Sequence, residues 1–82
     1  MPEKHYNKDL SEWIETAIPV YLAQNPNRSL ISRNYLAEKF FEDHPDYPIS
    51  ERRIRQQITY LMNMKFPGWS RSINPTWVVS SA

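Results

Sequence analysis

The chain predicts a mainly α domain with a small β-hairpin, and three features of its 82 residues carry that prediction. An apolar series from Leu10 to Leu22 recurs at helical spacing. Two serines, Ser32 and Ser50, each open a further helical run with the same start signal. After Pro67-Gly68 the tail becomes β-rich and ends in Thr76-Trp77-Val78-Val79.

In the first helix Leu10, Trp13, Ile14, Ala17, Ile18, Tyr21 and Leu22 fall on one face. Asp9 followed by Glu12 matches a capping box, so the start is expected at Asp9. Pro19 has no N–H for the carbonyl of Glu15, which predicts a kink or break there. Asn25-Pro26-Asn27 ends the helix.

Arg28-Ser29-Leu30-Ile31 is a short extended candidate, and Ser32 is the expected N-cap of a second helix through Tyr35, Leu36, Phe40 and Phe41. Ile31 and Leu36 have the spacing of a hydrophobic staple. Residues 41–48, FEDHPDYP, break that helix with two prolines among acidic turn formers. Ser50 then caps a third helix, with Ile49 and Ile54 as its staple, which Phe66-Pro67-Gly68 terminates. Trp69 to Ile73 alternates large with small or polar residues. With Asn74-Pro75 as turn and Thr76–Val79 as return, it predicts the hairpin.

Composition bounds the function. The length allows one domain over 1–82, with an ordered core at about 9–80; it suits a whole small protein or the N-terminal domain of a longer one. There is no cysteine, and His5 and His44 lie far apart, so neither a disulfide nor a metal site is expected. No apolar run approaches the roughly 20 residues of a membrane span, and the N-terminus has no signal-like apolar core; an intracellular protein is expected, with no membrane partner. Eleven aromatics against one glycine favour a folded chain over disorder. His44 lies among Glu42, Asp43 and Asp46, but contiguous residues in one loop seldom converge on an ion, and an acidic surface loop is expected. No activated nucleophile, glycine-rich phosphate cradle or carboxylate dyad appears. The expectation is therefore no enzyme, no cofactor and no small-molecule substrate.

The net charge is only +1, but residues 51–82 hold five cations against the single carboxylate of Glu51. On the third helix, 100° steps put Ile54, Ile58, Leu61, Met62 and Lys65 on one side. Arg52, Gln56, Thr59, Tyr60 and Asn63 fall opposite, flanked by Arg53 and Arg55. A solvated face usually mixes lysine with glutamate; this one holds the side chains that read base edges. Arginine can donate twice to guanine, glutamine and asparagine can pair with adenine, and threonine can meet the thymine methyl.

Helix, short strand, capped helix, loop, polar-faced helix and hairpin together resemble the winged helix-turn-helix superfamily, over about residues 9–80. The resemblance implies a three-helix fold with residues 50–64 as recognition helix in the major groove of double-stranded DNA and residues 69–79 as wing. It also implies that Arg71, with Ser70 or Ser72, reaches phosphate or the minor groove. The implied DNA-binding set is Arg52, Arg53, Arg55, Gln56, Thr59, Tyr60, Asn63, Lys65 and Arg71. Transcription regulation or initiation of replication or recombination would be served, with a second copy or a larger protein adding affinity. Pro75-Thr76-Trp77 is also similar to the wing of domains that bind left-handed nucleic acid, although Arg55 and Thr59 stand where those carry asparagine and tyrosine. The alternative is a winged domain that docks only on proteins.

Overall fold

The computed structural model describes residues 7–27, 29–66 and 74–79, and residues 69–70 by their backbone. The order is α1 (Lys8–Gln24), β1 (Leu30–Ser32), α2 (Arg33–Asp43), α3 (Glu51–Lys65), β2 (Trp69–Ser70) and β3 (Thr76–Val78). The chain is thus mainly helical, with a small antiparallel sheet ordered β1-β3-β2. Among the described residues no helix is long and apolar enough to cross a membrane.

Helix α1 begins two residues earlier than the capping-box pattern predicts. Its cap is Asn7, whose side-chain oxygen accepts from the Leu10 amide at 3.0 Å. Asparagine and aspartate cap about equally well, so the choice is decided by other contacts. The Asn7 amide also donates to Tyr47 Oη and Gln57 Oε1, each at 3.1 Å, which ties the helix start to the loop and to α3. Asp9 sits exposed in the first turn, where the helix dipole favours it.

Pro19 does not break α1, which continues to Gln24. The proline is exposed and costs one backbone bond, while Ile14, Ile18 and Tyr21 hold the opposite face in the core. The predicted caps of α2 and α3 are both present: Ser32 Oγ accepts from Tyr35 N at 3.1 Å, and Ser50 Oγ from Arg53 N at 3.4 Å. The connection between these helices is held by aromatics. His44 stacks on Phe40 with ring centroids 4.5 Å apart, and Tyr47 meets Phe40 edge-on at 4.9 Å.

The expected hairpin is part of a larger sheet, because β1 joins it. Strand β3 is central, pairing Ile31 with Trp77 on one side and Trp69 with Trp77 on the other. The ladder gains a residue at each end, through Val79 N to Ser29 O at 2.7 Å and Arg33 N to Pro75 O at 2.9 Å. Period-2 alternation then divides the faces: Ile31, Trp77 and Val79 point into the core, while Leu30 and Val78, directly opposite one another, stay about half exposed.

Leu10, Ile14, Leu36, Phe40, Ile54, Ile58 and Met62 meet the buried sheet residues in a single core. Trp77 is fully buried at its edge toward α3, and its indole N–H donates to Asn63 Oδ1 at 2.8 Å. Truncating it removes the largest fully buried ring among the described residues and takes the indole donor from Asn63. Trp77→Ala is therefore expected to destabilise the domain by about 3–5 kcal/mol, against about 1 kcal/mol for Ser50→Ala. Urea unfolding followed by circular dichroism checks both.

Candidate nucleic-acid interface

Helix α3 is oriented by Ile54, Ile58, Leu61 and Met62, all buried. That apolar stripe aims Arg52, Arg53, Gln56 and Tyr60 outward, and all four are exposed. Tyr60 is 44% exposed, and Met64 continues the open strip one turn further on. The N-terminal end also carries Glu51, which suits the positive end of the helix dipole.

Four further members of the predicted set, Arg55, Thr59, Asn63 and Lys65, are engaged within the fold. Arg55 is paired with Glu51, Nη2 to Oε2 at 2.6 Å, an exposed i,i+4 bridge. Thr59 Oγ1 donates to the Arg55 carbonyl at 3.1 Å and accepts from Arg33 Nη1 at 3.2 Å. Asn63 is the acceptor for Trp77. Lys65 lies on the core-side edge of α3 and reaches α1, with Nζ 3.3 Å from Glu15 Oε2. Arg71 lies outside the described residues. The structure thus brings together a strip of four, with Thr59 and Asn63 fixed beside it.

Sequence reasoning missed Arg33 and Asn34. Arg33 occupies the first turn of α2, where a cation opposes the helix dipole and where the turn itself holds no acidic residue. Its position has a use: its backbone holds the Pro75 carbonyl while its guanidinium holds Thr59, so one residue joins α2, α3 and the approach to β3. Beside it, the Asn34 amide donates to Asn74 Oδ1 at 3.1 Å. The available signal was a cation immediately after a predicted serine cap.

Charge pairing separates the strip from the rest of the surface. Lys8 meets Glu12, Lys39 meets Glu42, Arg55 meets Glu51 and Lys65 meets Glu15. The hydrogen bond and charge of Glu42 raise the Lys39 ammonium above its ordinary pKa, on a helix away from the strip. Among the described residues the side chains of Arg52 and Arg53 have neither a hydrogen bond nor an ion pair. Two exposed cations on one helix turn, next to glutamine and tyrosine and without a carboxylate partner, can take up phosphate oxygens and base edges.

Comparison with protein-family models, with curated proteins and with solved structures finds no match for this chain.

The Arg33–Thr59 contact can be tested apart from any ligand. Thr59→Val keeps the shape but removes the acceptor, and about 1 kcal/mol of stability is expected to go with it. Glu51→Gln, which breaks only an exposed ion pair, is expected to cost under about 1 kcal/mol. Thermal and urea unfolding of the two variants gives the comparison.

Proposed function

We propose that the chain is a winged helix-turn-helix domain that binds double-stranded DNA, with residues 50–64 entering the major groove and the β2–β3 hairpin beside the backbone. The element order α-β-α-α-β-β and the sheet order β1-β3-β2 support the fold assignment. One observation carries the function: among the described residues Lys8, Lys39, Arg55 and Lys65 are paired with carboxylates and Arg33 is bonded to Thr59, whereas Arg52 and Arg53 on the outward face of α3 have no such partner.

In this arrangement Arg52 and Arg53 supply charge, and Gln56 supplies a bidentate donor and acceptor for a base edge. Tyr60 adds a ring and a hydroxyl one turn further along. Thr59 and Asn63, held by Arg33 and Trp77, present a fixed polar flank. So few cations imply a modest number of phosphate contacts and weak binding by one copy, which a second copy or a larger protein would reinforce. Regulation of transcription or initiation of replication or recombination is the role this suits.

A protein-docking role is the second reading. It is favoured by the facing pair Leu30 and Val78, 51% and 55% exposed on the outer side of the sheet.

Titration of random-sequence duplex at two salt concentrations decides between them. The native chain is expected to bind more weakly as salt rises. Arg52→Ala/Arg53→Ala is expected to lose about tenfold in affinity at low salt, and to flatten the log–log salt slope by about 1.8. Arg55→Ala, which removes a residue already paired with Glu51, is expected to lose less than about threefold. No salt-dependent association by the native chain, or equal binding by the double variant, sinks the DNA reading.

A further inference from the structure

Thr59 and Asn63 are held by bonds whose direction decides what each has left to offer. Thr59 Oγ1 donates its proton to the Arg55 carbonyl at 3.1 Å and accepts from Arg33 Nη1 at 3.2 Å. A hydroxyl carries one proton, so Thr59 cannot donate to a base while that bond stands. Its γ-methyl takes part in neither bond. Asn63 is fixed just as definitely. An indole N–H only donates, so the atom that meets Trp77 Nε1 at 2.8 Å is the Asn63 oxygen, and the NH2 group is directed away from the indole. Among the described residues that NH2 group donates to nothing. Both residues are half-buried, one turn apart, on the side of α3 opposite its buried stripe. The flank thus offers a methyl and an amide donor. The two-bond pairing of asparagine with adenine needs the oxygen as well, and Trp77 holds it.

We propose that Thr59 and Asn63 read thymine, with the Asn63 NH2 donating to O4 and the Thr59 methyl packing on the 5-methyl group. In the major groove thymine alone shows an acceptor together with a methyl. Cytosine would set its N4 donor against the Asn63 donor, and guanine offers acceptors but no methyl. The two contacts fall on one thymine or on two in succession, because side chains one helical turn apart stand about 5–6 Å from one another and successive bases about 3.4 Å. This inference rests on the DNA reading above and deepens it by naming a base.

The test starts with selection, by the native chain, of its preferred site from short random-sequence duplexes. Each thymine of that site is then replaced singly. Deoxyuridine removes only the methyl, whereas 5-methylcytosine opposite guanine keeps the methyl and turns the O4 acceptor into an N4 donor. At one position, or at two in succession, deoxyuridine is expected to lower affinity about threefold to fourfold, the worth of one buried methyl. At the same place 5-methylcytosine is expected to lower it at least about tenfold. Thr59→Ser should erase the difference between thymine and deoxyuridine, and Thr59→Val should keep it. Asn63→Asp can still accept from Trp77 but has no NH2 group, so it should favour 5-methylcytosine over thymine. The readout is the ratio between duplexes, which a general loss of affinity or stability does not imitate. A selected site without thymine, deoxyuridine tolerated at every position, Thr59 variants that do not divide in this way, or Asn63→Asp that still prefers thymine each overturns this inference and leaves the DNA reading standing. A native chain that binds no duplex overturns both.

Discussion

The indole of Trp77 joins the two halves of the molecule. Strands of two or three residues cannot hold a sheet together by their own ladder, so the sheet depends on packing its inner face against the helices. Among the described residues Trp77 contributes most to that face: it stands at the centre of β3 with 0% of its surface exposed. Fully burying such a ring is worth several kcal/mol by area, an upper bound because unfolded chains already bury part of it. Its N–H must also find an acceptor inside, and Asn63 on α3 provides it. The sheet is thereby indexed to α3 by one directional bond as well as by packing. From that index follows the landing of Asn74 and Pro75 on the first turn of α2.

A second constraint is the segregation of charge. Helix α1 and the α2 helix with its following loop carry most of the carboxylates, and their lysines are largely used up in local pairs. Such exposed pairs add little stability. Their effect is on what the described surface offers: they neutralise cations away from the strip, and among the described residues Arg52 and Arg53 on α3 meet solvent without a carboxylate partner. The acidic side would repel a polyanion, so an encounter with one is steered toward the strip.

Much of the fold was legible in the sequence because it rests on local signals. Ser32 and Ser50 each act through an amide three residues on, and the apolar periodicity of Leu10–Tyr21 and Ile54–Met62 maps directly onto buried faces. Where several caps were available, local pattern could not choose. Asn7 prevails over Asp9 because Tyr47 and Gln57, 40 and 50 residues away, bind its amide. The pairing of β1 with β3 is likewise a long-range event that three residues of sequence cannot announce. For the site, the outward direction of Arg52, Arg53, Gln56 and Tyr60 followed from helical geometry, whereas the engagement of Thr59, Asn63 and Lys65 depended on neighbours from α2, β3 and α1.

This division between open and engaged side chains gives α3 two kinds of polar surface. Arg52, Arg53 and Gln56 are long, exposed and unrestrained, so each loses rotamer freedom on meeting a ligand, at a cost of order 1 kcal/mol apiece. Thr59 and Asn63 have already lost theirs, fixed by bonds from Arg33 and from the buried Trp77. On the proposed reading the fixed residues set how deep and at what roll angle the helix can sit, and the mobile ones adapt to the phosphates and bases that result. Affinity would then come chiefly from the arginines and discrimination from the rigid flank.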